Sequence, residues 1–434
     1  MIAPFCMEET EFELSIQSLA WEGWGVGRRQ GKVVFVPYTA PGDVIRCAVT
    51  EDRGRFAFGT LVDLVRSSPA RVSPTCPVFG WCGGCQWQQV AYERQLEAKR
   101  DILVDALVRI GGLREPVVSR TVASNRDYGW RTAVDLAYET GRGGARVGFF
   151  TRHGSEIVPI ERCPVARDQI NARIGLLSDA IGALGIGAGG QIRLVAGADD
   201  RVSAHLVPNE PMAVERRQAE RFLSLAGLSG VEVTVRSATT TFGEPALSYP
   251  GWSADREVPL ACHPSGFVQA NPAINRELID RLLSFSFTGK QVLELYSGIG
   301  NLTIPLALAG ARVTGVEADP ASIKDARRTA QTMGLAGIKF ITGDVKDVFS
   351  DRAVKRSGFD VVVLDPPRTG ARPVMGAIAA LGAADTFYIS CWPPTLARDL
   401  AVLTGKGWRL VSAVPLDMFP QTFHVEALCH LIRG

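Results

Sequence analysis

Residues 292–307 read VLELYSGIGNLTIPLA: an apolar run of strand length, a glycine loop, then a second apolar run of helical period. Gly298 and Gly300 permit a tight turn and a close approach of backbone to ligand. A dinucleotide fingerprint needs glycine or alanine at its third position. Thr303 stands there, which weakens a nicotinamide reading. The next expected strand, in VTGVEAD, ends on Glu317, where a carboxylate can accept both ribose hydroxyl protons of an adenosine. The following one, in ITGD, ends on Asp344, placed to hydrogen-bond an adenine amino group. Around this loop the alternation is regular. Helices are expected over 275–283, 302–308 and 322–333, and strands over 291–295, 312–317, 339–342, 359–364 and 386–389. Such a series predicts an α/β domain with a mainly parallel sheet.

Gly298, Gly300 and Glu317 in this order resemble the class I (Rossmann-like) S-adenosylmethionine methyltransferases. Three further segments are expected at the strand ends where ligands bind in such sheets. They are VVVLDPPRTG with Asp365, YISCWPPTLARDL with Cys391, and LDMFPQTFHVEALCHL with Glu426. Methylation of a base amino group favours an aromatic residue after D/N-P-P, to stack the extruded base. Arg368 follows here, which disfavours that chemistry. Methylation of uracil C5 has other needs, because the carbon is too weak a nucleophile unaided. A thiolate adding at C6 activates C5, a general base then removes the C5 proton, and a polar group holds the ring. Cys391, Glu426 and Asp365 match those three roles. Each taken singly has a plainer reading, as a buried structural thiol or a surface carboxylate.

The chain has 434 residues, 46% hydrophobic and 21% charged, with a net charge of +2. That size predicts two to four domains, and near-neutrality excludes a strongly basic packaging protein. Any contact with nucleic acid must come from a local patch. No secretory signal and no apolar run long enough for a membrane span is read, so a cytoplasmic protein without membrane association is expected. Residues 1–70 predict a small β-barrel with strands over 11–19, 32–37, 44–51 and 57–65, interrupted by the glycine-rich stretch 23–31. Phe35, Tyr38, Phe56 and Phe58 lie among basic residues there, which suits RNA binding; the plainer reading puts them in the barrel core. Residues 71–265 predict a central α+β domain, with a helix over 91–110 and a hairpin of 131–138 and 146–150 turning at 141–144. Residues 266–434 form the methyltransferase domain. Of nine cysteines, Cys6, Cys47, Cys262 and Cys429 stand alone and read as structural. Cys76, Cys82 and Cys85 lie in CPVFGWCGGC and Cys163 in ERCPVA. Four thiolates can hold zinc or a four-iron cluster. A grouping of three plus one distant leans modestly toward the cluster.

Taken together these segments resemble the bacterial RNA 5-methyluridine methyltransferases, in the ribosomal branch with a TRAM domain and an iron–sulfur cluster. SLAWEGWGVGR and VVFVPYTAPGDVI are similar to TRAM, and GFVQANPAINREL to the family's F-x-Q-x-N segment. The resemblance implies a substrate-side place for Phe267 and cofactor contacts from Gln269, Tyr296, Asn301 and Asp365, beside Gly298, Gly300, Glu317 and Asp344. It implies Cys391 as nucleophile, Glu426 as base, and a [4Fe-4S] cluster on Cys76, Cys82, Cys85 and Cys163. The partner implied is 23S ribosomal RNA with a flipped uridine, since a thiolate must reach the base from its face. The barrel and Arg131 are expected on the RNA backbone, although Arg131 reads equally as a solvated hairpin charge. A monomer without an obligate protein partner is expected. Two departures stand out: Trp392-Pro393 follows the cysteine where the family has Asn-Pro, and Glu294 opens the cofactor motif where Asp is common. Rival readings are the same chemistry on a transfer-RNA uridine, a non-catalytic RNA-binding or assembly protein, and a redox iron–sulfur protein.

Overall fold

Five strands close into a barrel at the N-terminal end of the computed structural model. The structure describes residues 11–434 apart from 142–143, 186–188, 212, 254–255, 351–353 and 355–356, so Cys6 and the turn residues 142–143 lie outside the described residues. The strands are β1 (Phe12–Leu19), β2 (Trp24–Arg29), β3 (Lys32–Pro37), β4 (Val44–Asp52) and β5 (Phe56–Arg66), in the order β1-β2-β3-β5-β4. Leu14, Ile16, Val34, Val36, Ile45 and Cys47 fill the interior. The stretch 23–31, expected as a break, is largely strand β2. Gly25 and Gly27 lie in it because a Cβ there would fall 1.8 Å from Thr39 Oγ1 and 2.6 Å from Leu14 Cγ. These glycines make room for the interior, and the turn proper comes later, at Gln30 and Gly31, both with positive φ. The core reading of the barrel aromatics is also overturned. Phe35, Phe56 and Phe58 alternate with the buried Val34, Val36, Ala57 and Gly59 and point outward. Tyr38 leaves the barrel to donate from its hydroxyl to Gly80 O at 3.1 Å.

The middle of the chain forms a seven-stranded sheet ordered β12-β11-β10-β9-β6-β7-β8. Its strands are β6 (Ala133–Gly141), β7 (Gly144–Phe150), β8 (Ile157–Pro159), β9 (Gly189–Ala196), β10 (Val202–Pro208), β11 (Gly230–Val235) and β12 (Ala238–Gly243). Helices Asp168–Ile174, Leu177–Leu184 and Arg216–Ala226 bury Ile170, Ile174, Ile181, Leu184 and Phe222 against it. The hairpin of β13 (Leu247–Ser253) and β14 (Arg256–Cys262) packs instead on Ile299, Ile304 and Ala330 of the C-terminal region.

The second large sheet runs β17-β16-β15-β18-β19-β21-β20. It contains β15 (Gln291–Leu295), β16 (Arg312–Glu317), β17 (Ile338–Thr342), β18 (Val361–Leu364), β19 (Asp385–Ser390), β20 (Trp408–Leu416) and β21 (Glu426–Arg433). The strands from β17 to β19 are parallel, while β21 is antiparallel to both its neighbours. Helices cover both faces, which is why β18 is VVVL with all four residues buried. Helix Tyr92–Arg109 precedes the central sheet in sequence but packs here, with Leu103 and Leu107 against Leu396 and Leu400. Chain order reverses between β15 and β18, so the crevice at their C-terminal ends is the topological switch point. Among the described residues no helix is long and apolar enough to cross a membrane.

Candidate active site

The loop after β15 forms one wall of that crevice. Tyr296, Gly298 and Gly300 have φ of 64°, 53° and 87°. A Cβ on Gly298 would meet nothing within 4 Å, so this turn presents bare backbone to the crevice. Gly298 N donates to Glu317 Oε2 at 3.0 Å and Asp319 N to Glu317 Oε1 at 2.8 Å, which fixes the Glu317 carboxylate beside the loop. Asn301 exchanges hydrogen bonds with Asn275 at 2.7 and 2.9 Å. Asp344 caps the short helix that follows β17, accepting from Lys346 N at 2.9 Å, and its charge bears on Tyr296. Phe267, Gln269, Tyr296, Gly298, Asn301 and Asp365 line one small cavity, with Phe267 64% exposed at its mouth. Beneath it Glu294 is buried, accepting from Thr303 Oγ1 at 2.5 Å; burial pushes its carboxyl up to about 8.

The chemical groups stand on the other wall. Asp365 directly follows β18 and accepts from Gln269 Nε2 at 3.0 Å. Cys391 directly follows β19, and Glu426 opens β21. Ser390 pairs with Ala427 in the antiparallel ladder, so Cys391 and Glu426 occupy the next opposed position. Burial pushes the Cys391 thiol up to about 12. Glu426 and Asp365 add to this, while Arg368 opposes it with its charge and a hydrogen bond. Burial raises Asp365 to about 7 against the Gln269 hydrogen bond. Glu426 is driven well above the ordinary carboxylate range by burial and then by Asp365. Its Oε1 is buried with no hydrogen-bond partner among the described residues. At rest this is a set of proton-bearing groups aimed at one crevice.

Beside them lies an aromatic wall that the sequence did not suggest. Trp21, from the barrel, meets Trp392 at 4.7 Å and Phe423 at 4.9 Å, both edge to face. The Arg368 guanidinium sits 5.2 Å from the Trp392 ring. The His424 ring lies 4.3 Å from Phe423 at a 35° tilt, and burial followed by Arg368 pushes its imidazole down to about 3, so it is neutral.

The segment leading to Glu426 is clamped from behind. Lys99 pairs with Asp417 inside the protein and donates to Phe419 O at 2.9 Å, while Tyr92 Oη donates to Asp417 at 2.6 Å. Gln421, at φ 69°, exchanges side-chain and backbone bonds with Gln95, both 3.0 Å. Its carbonyl accepts from Gln86 N and Trp87 N at 3.1 and 3.0 Å. The cysteine-bearing loop is thereby wired to the segment carrying Glu426.

Cys76, Cys82, Cys85 and Cys163 line a single cavity of about 130 Å³ together with Arg131. Gly84 N points at Cys82 Sγ at 3.4 Å, and the backbone N–H groups of Val165 and Ala166 point at Cys163. Arg131 is therefore at the cysteines. Its Nε donates to Ala133 O at 2.7 Å, and its charge also reaches His424. Among the described residues no three His, Cys, Asp or Glu side chains converge on a point that could hold one metal ion.

A doubly covered sheet with this strand order, a glycine turn facing a fixed acid, and a thiol opposite a buried carboxylate define a class I methyltransferase. The comparisons sharpen this. Residues 252–434 match the tRNA (Uracil-5-)-methyltransferase family and residues 7–62 the TRAM domain. The 23S rRNA (uracil(1939)-C(5))-methyltransferase RlmD of Alkalilimnicola ehrlichii is 34% identical over 431 residues, covering 96% of this chain and 95% of the relative. Its namesake in Aeromonas hydrophila is 32% identical over 96% of this chain and 95% of the relative. The solved tRNA (uracil-54, C5)-methyltransferase of Pyrococcus abyssi, in complex with S-adenosyl-L-homocysteine, superposes with a TM-score of 0.74 at 26% identity. That likeness covers 96% of this chain and 99% of the other. The chain belongs to the TRAM-containing RNA (uracil-C5)-methyltransferase family and uses S-adenosylmethionine to methylate C5 of an RNA uridine.

Proposed function

We propose that the substrate is a flipped uridine of 23S ribosomal RNA and that methylation passes through a Cys391–C6 adduct. The opposed placement of Cys391 and Glu426 at the end of β19 and the start of β21, with Asp365 beside them at the end of the adjacent strand β18, carries this reading. S-adenosylmethionine supplies an electrophilic methyl group when bound; Glu317, Gln269, Tyr296, Asn301, Asp344 and the Gly298–Gly300 turn would hold it. Cys391 gives its proton to water and its sulfur bonds to uracil C6, which moves an electron pair to C5 and O4. C5 then bonds the methyl group, whose bond to the donor's sulfur breaks with its electron pair left on that sulfur. Glu426, once deprotonated, removes the C5 proton; the C5–C6 double bond re-forms and expels the thiolate. Asp365 holds the ring and Phe267 borders it. The ribosomal choice over a transfer-RNA uridine rests on the higher identity to the 23S enzymes, 34% and 32%, than to the transfer-RNA enzyme, 26%, all over nearly the whole chain.

Cys76, Cys82, Cys85 and Cys163 would hold a four-iron cluster. Four thiols around an enclosed space, with N–H groups aimed at two sulfurs, suit a multi-atom cluster better than a single ion. With all four cysteines as its ligands, such a group would offer no open iron to substrate and would instead tie the 76–85 loop to residue 163. Arg131 would face this cavity and the RNA beyond it. The enzyme would work as a monomer in the cytoplasm.

The test is methyl transfer from labelled donor to total RNA, with 5-methyluridine mapped in 23S and transfer RNA. Cys391→Ala should abolish transfer. Glu426→Ala should accumulate a denaturant-resistant protein–RNA adduct, because the C5 proton stays in place. Wild-type activity in Cys391→Ala would end the scheme, and label confined to transfer RNA would move the substrate.

A further inference from the structure

Trp392 stands directly after Cys391, in the N-cap position of helix Pro393–Thr404. That position favours Asn, Asp, Ser or Thr, whose short side chains accept from the free N–H groups of the first turn. An indole cannot accept, and no side-chain cap is made here. The next two residues make this tolerable. Pro393 and Pro394 have no N–H, so the first turn has fewer donors to satisfy. Other bonds hold the backbone. Trp392 N donates to Ser390 Oγ at 3.1 Å, and Thr395 Oγ1 lies 3.1 Å from Trp392 O and 3.0 Å from Arg368 O. Position 392 is thus released from capping and given over to a large ring. Trp21 meets that ring edge to face, the Arg368 guanidinium sits over it, and the His424 ring lies 5.8 Å away at a 40° tilt. Yet Trp392, Trp21, Phe423 and His424 all keep part of their surface exposed, and Arg368 is exposed outright. Rings that served only to seat the barrel on the catalytic sheet would be buried. A half-open aromatic wall beside a cation, one residue from the nucleophile, suits a flat ligand that carries negative charge.

We infer that Trp392 stacks the base of the nucleotide next to the target uridine and so holds the strand while the uridine is turned in to Cys391. Flipping one base strips its neighbours of a stacking partner, and a ring at this point restores one. Cys391 and the methyl donor must both reach the C5–C6 edge of the target base, so the neighbouring base is what remains for Trp392. Every base has a face to stack, so this subsite requires a base next to the uridine without dictating which one. The inference rests on Cys391 as the nucleophile and adds a strand-holding residue beside it.

The test uses full-length Cys391→Ala protein, which forms no adduct, and a synthetic fragment of 23S or transfer RNA, whichever the wild-type protein methylates. The fragment is made intact, abasic at the 5′ neighbour of the uridine, and abasic at the 3′ neighbour. Loss of one of these two bases should weaken binding by about 5- to 150-fold, the range for one base–ring stack. Exchange of that base for another should change binding little. Adding Trp392→Asn should weaken the intact fragment to the same extent and erase its advantage over the abasic one, while Trp392→Phe should keep that advantage. Trp392→Leu keeps apolar contact with Trp21 but offers no ring, and it decides the matter if the Asn variant does not fold. Equal binding of the intact and both abasic fragments overturns the inference. So does an abasic penalty that persists in folded Trp392→Asn or Trp392→Leu, since the ring would then only seat the barrel. The two readings fail differently: a wild-type chain that methylates neither RNA ends the catalytic reading and this inference with it, whereas one that methylates but shows no abasic penalty ends this inference alone.

Discussion

Glu294, Asp365 and Glu426 are three carboxyl groups whose pKa is raised by the same leading cause, burial in and beneath the crevice. The consequences differ by position. A carboxyl whose folded pKa is raised lends stability that is complete below its unfolded value and is lost as pH climbs through the folded one. For Glu294 that window runs from about 4.5 to about 8. Melting temperature should therefore fall across this interval in the wild type, and Glu294→Gln should flatten the slope; an unchanged slope would remove Glu294 from the account. At the reacting centre the effect appears in rate. In the proposed scheme Glu426 must be ionised to take the C5 proton, and burial raises it, so single-turnover transfer should rise with pH above neutrality. Asp365 raises Glu426, so the residual activity of Asp365→Asn should show its rising limb at lower pH. Asp365, Cys391 and Glu426, which the structure brings to neighbouring strand ends, were picked out in the sequence because each stands beside a proline-bearing or strand-ending signature. Trp21 and His424 were not. Trp21 reaches Trp392 across most of the chain length, and no local pattern reports such a contact.

The elements were readable to different degrees for physical reasons. Parallel strands covered on both faces are short unbroken apolar runs such as VVVL, so β15, β16 and β18 fell close to their expected places. Helix Pro272–Leu283 began three residues earlier than expected because Asn271 accepts from Ile274 N and a proline fits the first turn. Strand β2 was hidden by its glycines, which serve the crowded barrel interior. The clamp behind Glu426 is an element-scale device that periodicity does not reveal. Lys99→Met would leave Asp417 buried with only the Tyr92 hydroxyl. Denaturant unfolding should then show a loss of about 3–5 kcal/mol, as for other broken buried pairs. Gln421→Ala keeps the backbone bonds to Gln86 and Trp87 but drops the side-chain bond from Gln95. It should lower turnover more than substrate affinity, and an equal loss in both would place Gln421 outside the positioning of Glu426.

Across the whole molecule, parts remote in sequence meet around Cys391 and Glu426. The cysteine loop holds Gln421, helix Tyr92–Arg109 holds Asp417, and the barrel sets Trp21 against Trp392 and Phe423. Cys85→Ser should quicken amide hydrogen exchange across 417–425 even without RNA, through the bonds from Gln86 and Trp87. Exchange left at the wild-type rate would show that the two loops act independently. The Trp21 contact also bears on how such an enzyme can be taken apart. A catalytic fragment cut free of residues 11–66 would bare the Trp392 and Phe423 rings to water right beside its reactive thiol. Such a fragment should bind hydrophobic dyes and self-associate, because in this chain the N-terminal barrel covers the apolar surface next to Cys391.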